Sequence, residues 1–207
     1  MSAACTGGIL LKCALRAPST PAFRESLGEL AKDCVPRAAS VSAHAAIEVD
    51  ETYLYLLSPQ PAAIDAPAVS SALGRARGLP ALKRAAIAAA RLLPVFDVPG
   101  PSRGEDAPFH YVVETDVAPE HEADFNAWYD EEHMPGLAAC PGSVYARRFR
   151  DPDGSPRYHA CYELARVETF GSPPWLAVRH SAWSDRIRPH FRNTKRTMFR
   201  RLFEIAL

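Results

Sequence analysis

The chain has 207 residues, 47% of them apolar and 23% charged, and its 24 basic and 24 acidic side chains give a formal net charge of zero. That size admits one large domain or two small ones with a real core, and the composition excludes a largely disordered chain. A neutral chain lacks the global field that draws nucleic acid or an anionic membrane, so neither is expected as a partner and a small-molecule substrate is.

In chain order, the first predicted strand holds Ile9-Leu10-Leu11 and meets Lys12 at once, too short an apolar run for a signal-peptide core or a spanning helix. A soluble cytoplasmic protein is expected. A turn at Pro18 leads into an amphipathic helix that begins near Phe23 and ends at Pro36, and Tyr53-Leu54-Tyr55-Leu56 and Val95-Phe96-Asp97-Val98 read as further strands. Residues 99–108, rich in Pro, Gly and charge, read as a linker. The second half then repeats the first: at a shift of 102, Tyr111-Val112-Val113 falls on Ile9-Leu10-Leu11, Val117 on Leu15 and Phe125 on Phe23. Tyr158 to Tyr162 matches the strand at 53–56, and at a shift near 107 Pro174 meets Pro67 and Leu202-Phe203-Glu204-Ile205 meets the strand at 95–98. Five cysteines, Cys5, Cys13, Cys34, Cys140 and Cys161, are scattered and lack a CxxC pair, which points to reduced, mostly packed thiols and to no metal site.

Each half is therefore predicted as β-α-β-β-α-β, the ferredoxin-like order, with one sheet face needing cover. The expected fold class is α+β: two tandem ferredoxin-like units, a degenerate one over 8–98 and a site-bearing one over 109–207, packed sheet to sheet. The chain would be its own pseudo-dimer, and a further homodimer stays open. Two unrelated α+β segments with a common rhythm are the plainer alternative.

The run Phe125-Asn126-Ala127-Trp128-Tyr129-Asp130-Glu131-Glu132-His133-Met134-Pro135-Gly136 carries the chemistry. At 3.6 residues per turn Phe125, Trp128, Tyr129 and Glu132 share a core stripe, with Asn126 and His133 on the adjoining one. Pro135 and a left-handed Gly136 are expected to stop the helix and leave His133 in its last turn. This phrase, continuing through Pro141-Gly142 to Ala146-Arg147-Arg148-Phe149, resembles the dimeric α/β-barrel superfamily, nearest to its EthD-like and uncharacterised small-barrel members, over roughly residues 109–206. The resemblance implies sheets paired into a barrel and a pocket between the sheet and helices of one unit. It also implies a choice among cofactor-free isomerases, polyketide cyclases and monooxygenases, haem enzymes and proteins without activity.

The repeat acts as an internal control, because Phe125 keeps its counterpart as Phe23 whereas Asn126, Trp128, Tyr129 and His133 face Arg24, Ser26, Leu27 and Ala31. His133 is the expected proton carrier, Tyr129 the donor to a developing oxyanion and Asn126 the group that orients substrate. The competing reading has His133 capping helix carbonyls, Tyr129 in the core and Asn126 bonding a loop. The acidic run Asp130 to Glu132 reads as a solvated face, with Glu132 free to orient Arg147 or Arg179. If the apolar side of strand 158–164 builds the core between sheets, His159 faces the helices and the pocket, with His110 and Glu114 on matching parity. A second helix is predicted within 175–191, broken near Pro189, and it supplies Arg179, His180, Trp183, Arg186 and His190 as candidate pocket residues. Trp128 joins Arg179, His180, Trp183 and His159 in the expected substrate-binding set.

The expected function is a cofactor-free isomerase, cyclase or lyase acting on a small organic acid or a polyketide-like or aromatic-degradation metabolite. Its alternatives are a haem-dependent or cofactor-free monooxygenase, for which His180 and His190 lie in a region suited to ligating iron, and a non-catalytic binding or stress protein. Nucleotide-dependent, zinc-protease and serine-hydrolase motifs are absent from the sequence.

Overall fold

Thr20 and Pro21 start the first helix as their chemistry dictates. The Thr20 hydroxyl accepts from the Phe23 N–H at 3.3 Å, and Pro21, which has no N–H to leave unpaired, occupies the first turn. Helix α1 (Pro21–Cys34) turns Phe23, Leu27, Leu30, Ala31 and Cys34 inward. The structure, a computed structural model, describes residues 6–207, so Cys5 lies outside the described residues. The other four cysteines are buried free thiols.

Strands β1 (Gly7–Cys13), β2 (Ser40–Ala46), β3 (Thr52–Ser58) and β4 (Ile87–Pro99) surround α1 and α2 (Ala66–Gly78) in sequence, and the predicted order β-α-β-β-α-β is found in this half. β1 lies antiparallel between β3 and β4, with Leu10 opposite Tyr55 on one side and Ala90 on the other, and β2 pairs with β3. Ile9, Leu11, Val41, Ala43, Leu54 and Leu56 alternate along these strands onto the helix face and form one buried core with Leu27, Ala72 and Ala76. Each fully buried Leu or Ile contributes about 1.5–3 kcal/mol relative to exposure.

The second half runs β5 (Phe109–Val117), α3 (Glu122–Trp128), a π turn (Tyr129–His133), α4 (Met134–Ala138), β6 (Ser143–Arg150), β7 (Tyr158–Leu164), α5 (Pro173–Arg179), α6 (Ala182–Ile187) and β8 (Phe191–Ala206). The chain between β4 and β5 is held by Gly100 N–H donating to the Val144 carbonyl at 3.0 Å and Ser102 N–H to the Ser143 carbonyl at 3.1 Å. Hydrogen bonding orders the eight strands β1-β3-β2-β8-β5-β7-β6-β4 as a closed barrel, so the α+β class is found. Contacts divide the chain into two compact units. One takes residues up to Pro94 with Arg150–Gly154 and Met198–Leu207, and the other takes Val95–Phe149 with Ser155–Thr197. No helix among the described residues is long and apolar enough to cross a membrane.

Two expected helix boundaries are corrected. Pro135 does not stop the helix: the π turn resets the hydrogen-bond register, and Pro135 then falls in the first turn of α4, where a missing N–H is tolerated. Gly136 is accordingly helical and not left-handed. It permits a close approach instead, since a Cβ there would lie 2.8 Å from Val178 Cγ2 on α5. The predicted second helix breaks at His180-Ser181 rather than at Pro189, because Ser181 caps a new helix by accepting from the Ser184 N–H at 3.0 Å. Pro189 sits in the 3-10 turn Arg188–His190 that leads into β8.

Candidate functional site

The π turn sets the geometry of the site. Trp128 and His133, five residues apart, would point about 140° away from each other around an α-helix. The extra residue in the turn brings them round to one side, where their rings stack with centroids 4.1 Å apart and planes 23° from parallel. Tyr129 stands edge-on to His133 at 5.5 Å. The Trp128 indole N–H donates to Ser184 Oγ at 3.2 Å, which ties this wall to α6.

A buried cation supports the wall from below. Arg148 on β6 is 1% exposed, and its guanidinium lies 4.3 Å from the Tyr129 ring centroid, 4.6 Å from that of Tyr158 and 4.9 Å from that of Phe125. Its Nη2 donates to Asn126 Oδ1 at 2.6 Å and its Nη1 to Asp130 Oδ1 at 3.3 Å, while Asn126 Nδ2 donates to the Tyr158 hydroxyl at 3.4 Å. Asn126 is thus placed in the support beneath the rings.

Above this support, within the same unit, lies a narrow cleft of about 370 Å³ when the open solvent at its mouth is counted. Trp128, Tyr129 and His133 form its helix side, and Tyr111, Tyr162 and Trp175 add three further rings. Register places Tyr111 directly opposite Tyr162 on β5 and β7, their rings near parallel with centroids 6.1 Å apart, and Trp175 meets Tyr162 edge-on at 5.3 Å. Arg179, Arg188 and Arg196 also line it, with Val113, Leu137 and Phe191, and the lining includes no acidic residue.

Burial decides the protonation states. His133 is pushed down to about 3, chiefly by burial and then by Arg188 and Arg179, so it is a neutral imidazole at pH 7. Its Nδ1 is enclosed without a hydrogen-bond partner among the described residues. Burial raises Tyr129 to about 12 against the opposing pull of Arg148, and it raises Tyr111 against Arg196, Arg179 and Arg188. Arg188 is held below its ordinary value by burial, then by repulsion from Arg179 and Arg196.

Of the residues singled out in the sequence, the cleft brings together Trp128, Tyr129, His133 and Arg179. Trp183 donates from Nε1 to Asp124 at 2.9 Å, and Arg186 clamps the same carboxylate at 2.9 Å, both outside the lining. His180 is exposed at the end of α5, and His190 stacks on His121 with centroids 3.4 Å apart. Glu132 accepts from the Ser181 hydroxyl. β7 turns Tyr158 and Tyr162 toward the helices, so His159 occupies the opposite face, buried, with Nδ1 3.4 Å from Glu114 Oε1. The expected direction of His159 is thereby corrected: the aromatic side of β7, not its polar side, meets the helices. Arg188, Arg196, Tyr111, Tyr162 and Trp175 were not among the residues expected at the site. The matched tyrosines at 111 and 162, on paired strands with helix-facing parity, were the available signal.

No protein-family model matches the chain, and no curated protein matches it in sequence. Solved structures match along its whole length. A "putative monooxygenase" from Lactobacillus acidophilus NCFM has TM-score 0.61 at 9% identity, covering 98% of this chain and 99% of its own. An anthrone oxidase-like protein has TM-score 0.58 at 14% identity, covering 97% and 93%. Chlorite dismutase from Candidatus Nitrospira defluvii has TM-score 0.60 at 12% identity, covering 97% and 93%. At these identities the likeness is one of fold.

Proposed function

We propose that the cleft is the active site of an acid–base enzyme, an isomerase, cyclase or lyase, that works on a small conjugated organic anion without a cofactor. The chain carrying it is read as two tandem ferredoxin-like units, a reading supported by the matching strand orders β4-β1-β3-β2 and β8-β5-β7-β6. The observation that carries the function is a neutral His133 with an unpartnered nitrogen in a cleft lined by three guanidinium groups and no acid.

Substrate oxygens would lie against Arg179 and Arg188. His133 would take a proton from a carbon beside a carbonyl, and the C–H electron pair would pass onto the carbonyl oxygen as an enolate. The arginines and the Tyr129 hydroxyl stabilise that developing charge. Return of the proton to a different carbon completes an isomerisation, and departure of a β-substituent completes an elimination. His133 is a weak base in this cleft, and a bound anion would offset Arg188 and Arg179 and so raise its basicity.

None of the three histidines considered as an iron ligand is presented to the cleft as a free axial ligand. His180 is exposed, His190 is stacked on His121 and His133 lies flat on Trp128. Cofactor-free oxygenation is the second reading, favoured by the fold shared with structures described as monooxygenase and anthrone oxidase-like. It would begin with the same proton abstraction, followed by reaction of the enolate with dioxygen.

The test is a panel of keto acids and hydroxybenzoates in D2O, with hydrogen–deuterium exchange at acidic carbons followed by NMR and oxygen uptake followed by electrode. Exchange by the wild type that is lost in His133→Ala supports the proposal, and oxygen uptake alongside it favours the second reading. Exchange at the wild-type rate in His133→Ala removes His133 from the mechanism. Binding without exchange indicates a non-catalytic binding protein.

A further inference from the structure

Several other arginines of this unit have acidic partners. Arg186 meets Asp124 at 2.9 Å, and Arg148 and Arg157 meet Asp130 and Glu122 at 3.3 Å each. Arg179, Arg188 and Arg196 come from three places, the end of α5, the 3-10 turn and β8, yet converge on one cleft. Among the described residues none of the three has a carboxylate within ion-pair distance. Arg188 is held below its ordinary value by burial first and then by repulsion from Arg179 and Arg196. Like charges gathered in a partly buried cleft repel, so such a cluster persists most readily where an anion fills it.

The rest of the wall is aromatic. Tyr111 and Tyr162 lie near parallel and Trp175 stands edge-on to both, backed by Phe170 with its centroid 4.6 Å from Tyr111 and 5.7 Å from Trp175. Burial keeps Tyr129 and His133 uncharged at neutral pH, so the lining presents three positive charges and no negative one. A cationic ligand meets repulsion there, and a neutral one leaves the guanidinium groups without acceptors. An anion with one charge leaves two of them uncompensated, and an inorganic oxyanion leaves the rings unused.

We infer that the ligand of this cleft is a planar, conjugated or aromatic molecule bearing two separate anionic groups. The ring lies against Tyr111, Tyr162 and Trp175, and the two anionic groups are shared among Arg179, Arg188 and Arg196. This rests on the reading of the cleft as the substrate site and narrows its substrate class. Forked guanidinium donors suit carboxylates best, and with two such groups on one rigid ring the second binds with its position already set by the first.

Isothermal titration of isophthalate, benzoate and inorganic phosphate into the full chain at low ionic strength tests the inference. Isophthalate is expected to bind at least tenfold more tightly than either of the others. Its advantage over benzoate should shrink to below threefold in Arg196→Gln, an exposed position whose replacement spares the core, and likewise in Arg188→Gln. Benzoate or inorganic phosphate binding as tightly as isophthalate overturns the inference, as does an advantage that survives both substitutions. The two proposals fail separately. Retention of the isophthalate preference in His133→Ala supports the ligand class whatever that variant does to proton exchange. Proton exchange on singly charged acids without a dianion preference overturns the ligand class and leaves the acid–base reading standing.

Discussion

A buried neutral histidine ties stability to pH with a sign that can be worked out in advance. In the unfolded chain His133 titrates at 6.5, and in the fold burial holds it near 3, so between those values the unfolded state binds a proton that the folded state does not. Stability from this group is therefore complete above pH 6.5 and is lost as pH falls toward 3. At pH 5 the loss amounts to about 2 kcal/mol, since each pKa unit corresponds to about 1.36 kcal/mol. His133→Phe keeps a ring against Trp128 and removes the titration, while every carboxylate titrates as before. Urea unfolding of both proteins at pH 7.5 and pH 5.0 is the assay. The wild type should lose about 2 kcal/mol more than the variant across that interval. Equal losses in the two proteins would refute both the enclosure of His133 and its neutral state.

Three further predictions concern what holds the cleft in place, each read by urea unfolding at pH 7.5. Gly136→Ala puts a methyl against Val178 and should destabilise the protein by about 1–3 kcal/mol, with part of the loss recovered when Val178→Ala is added. Full additivity of the pair would contradict the close approach of α4 and α5. Arg148→Ala strips the three-ring support and leaves Asn126 Oδ1 and Asp130 without their cation, for an expected loss of about 3 kcal/mol or more. Arg148→Lys should recover little, because an ammonium lacks the planar fork that both stacks and donates. Ser184→Ala leaves the buried Trp128 N–H without its acceptor and should reduce stability by about 1–2 kcal/mol, and an unchanged midpoint would dissociate Trp128 from α6.

The order of the elements was legible because each half carries its own punctuation. Prolines at 18, 36 and 119 mark turns, and alternation in 53–56 and 158–162 marks paired strands. The π turn was not legible, since one extra residue in a helical turn leaves no mark in composition. A proline ten residues after Phe125 reads as a stop unless the hydrogen-bond register has already been reset upstream of it. Comparison of the two halves drew attention to Trp128, Tyr129 and His133, but it drew equal attention to Asn126, whose amide serves Arg148. A difference between the two halves thus points to a side chain with a particular duty, and that duty can be structural.

The arginines show why charge counts alone did not find the cleft. Arg186, Arg188 and Arg196 belong to one basic stretch of sequence, and nothing in their spacing ranks them. Asp124, brought from α3 onto α6, neutralises Arg186 and leaves the other two facing a cavity without a counter-charge. What distinguishes a solvated basic face from an anion site is where the carboxylates are, and that is fixed by tertiary structure. Burial first, and then the cations beside them, depresses the basicity of both Arg188 and His133. On the proposed reading, an anion entering that cleft would relieve the arginine repulsion on both together, so ligand binding and the activation of His133 as a base would be one electrostatic event.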